Sequence, residues 1–150
     1  MKWLLTLLII NALNVSAQPT FNDVKASVNQ LFEGMRKKDT ALIRSVLAPG
    51  AILQSVAQTP QGQVIIRTQN VDDFLSSIAT SGSQILDERI QFGSMQQDGD
   101  LASVWTPYQF YVGDTFSHCG ANSFQLVRLD ERWKIQYVID TRRRVGCQAQ

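Results

Sequence analysis

The amino-acid sequence predicts a single α+β domain in which helices pack against one face of an antiparallel sheet. Three observations predict it: two helical patterns open the domain, a third follows residue 70, and four long strand patterns fill the chain from residue 85 onward. Consecutive strands after helices form a sheet with the helices gathered on one face. The 150 residues, 44% of them hydrophobic, suffice for one such domain and exclude two.

Residues 1–17 have the pattern of a secretory signal peptide. Lys2 precedes a largely apolar run, and Val15, Ser16 and Ala17 form a small-residue ending that suits cleavage before Gln18. The run is shorter than the ~20 residues of a membrane-spanning helix, and no cysteine near its end offers a lipid attachment site. A buried helix or strand is the alternative. We therefore expect a secreted or periplasmic domain of residues 18–150, with no membrane contact after cleavage.

The charge balance argues against a nucleic-acid partner. The full chain has 14 Lys and Arg against 13 Asp and Glu, so removal of Lys2 leaves a formally neutral domain. A neutral domain has no long-range attraction to a phosphate backbone. The sequence also lacks a nucleotide-binding glycine loop and a nucleophile elbow, which leaves kinases and serine hydrolases without support.

The three predicted helices are each marked by a cap and an apolar stripe. The first opens near Thr20 and Asp23, the second is capped by Asp39 and stops before residues 48–50, and the third is capped by Asn70 and ends at Gly82. The predicted core positions of the first are Val24, Val28, Leu31, Phe32 and Met35. Those of the second are Ala41, Leu42, Val46 and Leu47, and those of the third are Val71, Phe74, Leu75 and Ile78.

Six strands are predicted between and after these helices. Their ranges are 51–56, 64–68, 85–96, 101–112, 117–129 and 132–143, with turns at 98–99, 113–114 and 130–131. In the last strand, simple alternation places Trp133, Ile135 and Tyr137 on one face and Asp140 and Arg142 on the other.

Cys119 and Cys147 are candidates for a disulfide bond in an oxidising compartment, and two free thiols are the alternative. A two-residue turn at 130–131 sets Cys119 opposite Arg142, so the tail must bend near Val145 and Gly146 to bring the cysteines together. Two cysteines and one histidine lack the paired spacing of structural zinc sites. We therefore expect no metal and no cofactor.

Several short motifs carry a resemblance to a known family. They are Trp105-Thr106-Pro107-Tyr108, His118-Cys119-Gly120, Phe124-Gln125-Leu126, Trp133-Lys134-Ile135, Asp140-Thr141-Arg142-Arg143 and the late Cys147. With the element order, these make the chain from Phe21 to Cys147 resemble the nuclear transport factor 2-like superfamily, and more narrowly its secreted bacterial members described as lumazine-binding or polyketide-cyclase-like. The resemblance implies a cystatin-like cone, in which a curved antiparallel sheet wraps the N-terminal helices and leaves an apolar pocket.

That superfamily contains enzymes and non-catalytic ligand binders, so the fold leaves the function open. Its isomerases place a carboxylate base near the second helix and first strand, but no acidic residue lies between Asp39 and Asp72. The acid–base candidates that remain are His118 and Asp140. The alternatives are a turn or core histidine and an aspartate that pairs with Arg142 or Arg143.

We therefore predict a binding module that holds a small planar or apolar ligand, with an isomerase-, dehydratase- or cyclase-type enzyme as the alternative. The candidate ligand-binding residues are Trp105, Tyr108, Phe110, Tyr111, Asn122, Gln125 and Arg142. A second copy of the chain is a further candidate partner, bound through the outer sheet face at Val127, Leu129 and Val138.

Overall fold

The computed structural model describes residues 21–147; the predicted signal peptide lies outside these residues. The described residues form three helices, α1 (Phe21–Lys37), α2 (Thr40–Val46) and α3 (Val71–Ala79). The strands are β1 (Leu47–Gln58), β2 (Val64–Gln69), β3 (Leu86–Ile90), β4 (Met95–Asp98), β5 (Leu101–Val112), β6 (Thr115–Leu129) and β7 (Arg132–Thr141). Within residues 21–147, no helix is long and apolar enough to cross a membrane.

The helix caps predicted at Asp39 and Asn70 are confirmed, whereas the predicted start of the first helix at Thr20 lies outside the described residues. The Asp39 side chain accepts a hydrogen bond from the backbone N–H of Leu42 at 2.9 Å, and Asn70 accepts one from Asp72 at 2.7 Å. Each bond satisfies a backbone donor that the first turn of a helix otherwise leaves free. The caps therefore set where α2 and α3 begin.

The buried face of α2 differs from the prediction. Ile43 and Val46 are buried, whereas Ala41 is exposed and Leu42 is only partly buried. The helices α1 and α2 approach closely at Gly34, where an added Cβ would lie 2.6 Å from Cγ1 of Ile43. This contact turns Ile43 toward α1, and a local apolar pattern does not reveal it.

The sheet is curved and mixed rather than wholly antiparallel. Its strand order is β2-β1-β7-β6-β5-β3, with β4 paired to β5 beside β3. The strands β1 and β7 run parallel, whereas the other pairs are antiparallel. Because β2 folds back on one edge of β1, the other edge stays free for the last strand of the chain. Such a long-range pair has no local sequence signal.

The strand predicted over 85–96 is broken into β3 and β4. At the break, the N–H of Gly93 donates to the carbonyl of Trp105 at 2.8 Å, and an added Cβ on Gly93 would lie 3.0 Å from that oxygen. Glycine allows this close approach between backbones. β3 and β4 pair with two successive parts of the same edge of β5, one before and one after the break.

The turn between β6 and β7 is the predicted pair Asp130 and Glu131, with φ of 48° and 61°. The predicted register holds as far as Leu126 opposite Ile135, but Gln125 then lies opposite Tyr137. One extra residue in a strand is a β-bulge, and it reverses the facing of every residue beyond it. Cys119 consequently pairs with Arg143 rather than with Arg142.

This bulge corrects the predicted facing of Tyr137, Val138 and Asp140. We call the sheet face that packs on the helices the inner face and the opposite one the outer face. Val138 and Asp140 lie on the inner face with Trp133 and Ile135, whereas Tyr137 lies on the outer face. Val138 is therefore not an outer-face residue, and Asp140 is not opposite Trp133.

The core lies between α1 and the inner face. All five predicted core positions of α1 are buried. They pack with Phe124, Leu126 and Ile135 of the sheet, and the rings of Phe32 and Phe124 meet edge to face with centroids 6.1 Å apart. Burial of such side chains contributes about 1.5–3 kcal/mol each, which fixes the sheet on the helix.

The predicted disulfide joins Cys119 to Cys147, with the two Cα atoms 5.8 Å apart. The tail turns back through Gly146, which has a φ of 67°. The bend predicted near Val145 and Gly146 is therefore confirmed. The bridge fixes the tail that follows β7 onto β6.

Candidate functional site

A cavity of about 100 Å³ lies between α1, α3 and the inner face of the sheet. Its apolar walls are Leu31, Phe32, Met35, Leu53, Phe74, Phe124 and Val138. Its polar lining consists of Gln54, Ser55 and Gln69 and of a second group that contains both of its carboxyl side chains. We call Glu88, Asn122, Asp140 and Arg142 the polar end. Apolar walls with a few convergent polar groups are typical of ligand sites.

The sheet register places these polar residues together. Asn122 of β6 lies opposite Asp140 of β7, and Asp140 lies beside Ser55 of the parallel strand β1. Asn122 and Ser55 face inward by alternation with Phe124 and Leu53, and the bulge in β7 turns Asp140 to the same side. The polar end is thus a product of long-range pairing.

Asp140 is the most constrained member of the polar end. Its Oδ2 accepts a hydrogen bond from Nε of Arg142 at 2.8 Å and lies 3.2 Å from the Tyr108 hydroxyl. Its Oδ1 is buried and has no hydrogen-bond partner among the described residues. Buried acceptors are nearly always paired in proteins. Oδ1 of Asp140 is therefore an acceptor at the cavity wall that a ligand could supply with a donor.

Glu88 belongs to the polar end but is absent from the sequence predictions. It lies on β3 between Leu86 and Ile90, and its Oε1 accepts a hydrogen bond from Nδ2 of Asn122 at 2.8 Å. Burial raises the pKa of Glu88 to about 7, and the charge of Asp140 adds to the rise, while the Asn122 bond opposes it. The carboxyl group is therefore close to half-protonated at neutral pH.

Tyr108 contacts the polar end through its hydroxyl group. The ring is buried, and its hydroxyl donates to the carbonyl of Thr141 at 2.9 Å as well as lying near Asp140. Burial raises the pKa of Tyr108, and the negative charges of Asp140 and Glu88 raise it further. Tyr108 therefore remains a neutral donor that holds Asp140 in place.

The structure brings together some of the predicted site residues. Asn122, Asp140 and Arg142 line the cavity, and Tyr108 contacts Asp140. Phe110 packs against the edge of the core on β5. The sequence contained a signal for Glu88. It lies two residues from both Leu86 and Ile90, and residues two apart in a strand share a face, here the inward one.

His118 lies beside the polar end and does not line the cavity. Its ring is half-buried against the rings of Tyr108 and Phe110, with centroids 5.7 and 5.0 Å away, and Nδ1 is 3.0 Å from the hydroxyl of Ser117. Burial lowers the pKa of His118, and the nearby charge of Arg142 lowers it further. Among the described residues, the hydrogen bonds of Asp140 come from Arg142 and Tyr108, so His118 and Asp140 are not a bonded pair.

Three predicted ligand residues lie away from the cavity. Trp105 is 45% exposed, and alternation along β5 turns it opposite to the buried Val104 and Thr106. Gln125 pairs with Tyr137 across the outer face. The Tyr111 ring lies under the guanidinium of Arg89, 4.1 Å from its centroid. The aromatic residues of this strand were expected to line the ligand pocket, but strand alternation decides which of their rings face inward.

Comparison with known proteins finds similarity in structure alone. No protein-family model matches the chain, and no curated protein matches it significantly. A solved NTF2-like protein from Shewanella baltica aligns with a TM-score of 0.64 and 13% sequence identity, over 89% of this chain and 98% of that one. An NTF2-like protein from Methylobacillus flagellatus gives a TM-score of 0.65 and 10% identity, over 82% and 91%.

A protein from Nostoc punctiforme with a cystatin-like fold gives a TM-score of 0.61 and 11% identity, over 81% of this chain and 90% of that one. All three are described as proteins of unknown function. The chain therefore has the nuclear transport factor 2-like fold, as its motifs predicted. Function has to be argued from the site itself.

Proposed function

We propose that this chain is an exported, non-catalytic domain that binds a small organic molecule in the cavity of its cone. The observation that carries the proposal is an apolar cavity that ends at a buried carboxylate oxygen without a partner among the described residues, Oδ1 of Asp140. A bound molecule with an apolar body and one polar group would match both parts of the cavity. Ligand sites typically combine an apolar wall with a few polar groups that fix the orientation of the ligand.

The size of the cavity refines the expected ligand. An apolar cavity of roughly 150 Å³ binds benzene in a well-studied case. This one is about 100 Å³ and opens to solvent. A single ring or a short branched chain is therefore the largest apolar body that we expect inside it, and a fused planar system would extend through the mouth.

The test fills the cavity and leaves the rest of the domain unchanged. Val138→Phe places a ring at the cavity wall, and Val127→Phe makes the same change on the half-buried outer face. We expect benzyl alcohol to raise the melting temperature of the wild type and of Val127→Phe but not that of Val138→Phe. Equal shifts in all three proteins, or none in the wild type, would sink the proposal.

Export is the second part of the proposal. It is supported by the pattern of residues 1–17 and by the Cys119–Cys147 bridge, because disulfides persist in oxidising compartments. Expression of the full chain in a bacterial host should give a periplasmic or secreted product whose N-terminal residue is Gln18. An intact N-terminus and a cytoplasmic product would contradict it.

An isomerase-, dehydratase- or cyclase-type enzyme is the second candidate, and one observation favours it. Glu88 lines the cavity with a pKa of about 7, which suits a general acid–base group at neutral pH. On this reading Glu88 takes a proton from a carbon next to a carbonyl and returns it, while Asp140 lies beside it. The pair of His118 and Asp140 expected from the sequence has less support, because His118 is outside the cavity.

The enzyme reading predicts proton exchange with solvent. Cyclopentanone in deuterated buffer should gain deuterium with the wild type and with His118→Asn, and exchange should fall at least tenfold with Glu88→Gln. Exchange no faster than in buffer for the wild type would remove this reading and leave ligand binding untouched.

A further inference from the structure

We propose that the ligand of this cavity carries a protonated amine, which lies against Glu88 and Asp140 while its apolar part fills the remaining space. The inference rests on the proposed function, since it specifies the chemistry of the molecule bound there. It follows from the hydrogen-bond donors, acceptors and charges of the polar end. It specifies a single cationic nitrogen on a small apolar body.

One carboxylate oxygen at the polar end lacks a donor within residues 21–147. Glu88 and Asp140 bring four carboxyl oxygens, and the donors facing them are the Asn122 amide, the Tyr108 hydroxyl and Nε of Arg142. Asn122 bonds Oε1 of Glu88, and the other two meet Oδ2 of Asp140. The Asn122 amide also bonds Oγ1 of Thr106, and the Tyr108 hydroxyl also bonds the carbonyl of Thr141. Oδ1 of Asp140 is left without a donor among the described residues. An ammonium group has three donors and no acceptor.

The charges around Glu88 favour the same ligand. From the sheet, the charged or titratable neighbours are Tyr108 on β5, His118 on β6, and Asp140 and Arg142 on β7 and the tail that follows it. The helices contribute only apolar walls to the cavity, namely Leu31, Phe32, Met35 and Phe74. Arg36 of α1 pairs instead with Asp87, at 2.9 Å.

Two carboxyl groups therefore face the cavity with one guanidinium, and that guanidinium already bonds Asp140. A ligand carboxylate would add a third negative group to this end, which like-charge repulsion opposes. A neutral hydroxyl would supply one donor but no charge. A protonated amine supplies donors and balances the second carboxylate, so it fits both requirements.

Binding of such a ligand should depend on pH in a defined direction. A proton on Glu88 and a bound ammonium are alternative ways to neutralise the same carboxyl group, so they compete. The pKa of Glu88 is about 7, so the carboxylate is the major form above neutrality. Affinity should therefore rise with pH, by about tenfold between pH 6 and pH 8 for an amine that stays protonated throughout.

The test compares three probes of matched size and different charge. Benzylamine, benzyl alcohol and benzoate are titrated calorimetrically into the wild type at pH 6 and pH 8. We expect benzylamine to bind at least tenfold more tightly than benzyl alcohol at pH 8, to weaken about tenfold at pH 6, and benzoate to bind weakest. Equal or tighter binding of benzyl alcohol or benzoate at pH 8 would overturn the inference.

Variants separate Glu88 from its neighbours. Glu88→Gln keeps the shape, and it should remove the pH dependence and the preference for benzylamine while leaving benzyl alcohol binding within about twofold. His118→Asn and Asp114→Asn, which change a nearby titrating group and a turn carboxylate outside the cavity, should keep both effects. A pH dependence that disappears in His118→Asn and persists in Glu88→Gln contradicts the inference.

The outcomes also distinguish the inference from the proposed function. Binding of benzyl alcohol that Val138→Phe abolishes, without a preference for benzylamine, leaves a ligand site and rejects the amine. Failure of all three probes to bind the wild type rejects the site and the amine together.

Discussion

Glu88 shows how one residue couples the site to the stability of the fold. The ordinary pKa of its carboxyl group is 4.5 and its pKa in the fold is about 7, because burial disfavours the charged form. The folded protein therefore binds more protons than the unfolded chain between these values. The free energy of unfolding should fall as the pH rises from about 4.5 to about 7, by on the order of 3 kcal/mol at most from this group.

The Glu88→Gln variant should remove that loss. At pH 8 the variant should unfold with a free energy higher than the wild type by about 1–3 kcal/mol, and at pH 4.5 the two should be nearly equal. Urea unfolding followed by circular dichroism at both pH values measures the difference. A destabilised variant at pH 8 would mean that the charged carboxylate contributes to folding, contrary to its raised pKa.

Gly120 lies where two backbones approach closely, so a side chain at this position should destabilise the fold. An added Cβ would lie 1.8 Å from the carbonyl oxygen of Thr141, the same oxygen that accepts the Tyr108 hydroxyl bond. Gly120→Ala should force these backbones apart and lower the free energy of unfolding by about 2–4 kcal/mol.

A matched control for this prediction is Gly113→Ala. The Cβ there would meet nothing within 4 Å, and only the φ of 60° opposes it, which costs about 1–2 kcal/mol. Unfolding experiments on both variants compare the two costs. A smaller loss in Gly120→Ala than in the control would show that the Tyr108 and Thr141 contact does not restrain the polar end.

Part of the site could be predicted residue by residue from the sequence. Asn122 and Arg142 were candidate ligand-binding residues and Asp140 was an acid–base candidate, and all three line the cavity. Glu88 was overlooked because its segment, Leu86 to Ile90, reads as a charged surface strand with three consecutive charged residues. Alternation places Glu88 on the face of Leu86 and Ile90, but its burial depends on the elements packed against it, and a local pattern does not contain that information.

Among the elements, those defined by local chemistry were predictable. Helix caps and two-residue turns depend on a few adjacent residues, so Asp39, Asn70 and the turn at Asp130 were found from the sequence. The bulge in β7 and the parallel pairing of β1 with β7 depend on contacts between distant segments. These two features, rather than any local motif, bring Asp140 to the cavity.

The disulfide bond should contribute most to the C-terminal element. It closes a loop with a sequence separation of 28, for which the chain-entropy model gives about 3–4 kcal/mol. Cys147→Ser should lower the free energy of unfolding by roughly this amount, measured by urea denaturation.

The control for the disulfide is the wild type with and without a reducing agent. Reduction should reproduce the loss seen in Cys147→Ser and should have no effect on that variant. A reduced wild type as stable as the oxidised one would show that the bridge adds nothing to the closed tail.

At the scale of the whole molecule, the two faces of the sheet have different roles. The inner face holds the core and the polar end, whereas the middle of the outer face is uncharged across four strands. Its exposed or half-buried side chains are Ile52, Gln54 and Val56 on β1, Tyr137, Ile139 and Thr141 on β7, Ser123 and Gln125 on β6, and Ser103, Trp105 and Pro107 on β5. Depletion of charge with exposed aromatic and aliphatic side chains marks the centre of protein interfaces.

We predict that this face joins two copies of the chain, because a surface without charge is complementary to itself about a twofold axis. Sedimentation velocity at micromolar concentration should give a dimer for the wild type and a monomer for Ile139→Asp, since an aspartate at the centre would be buried unpaired. Ile85→Asp alters an isoleucine that is 51% exposed outside this face, and it should remain dimeric. A monomeric wild type, or dissociation by both variants, would contradict the interface. Dimers that still bind benzyl alcohol would show that the two faces act independently.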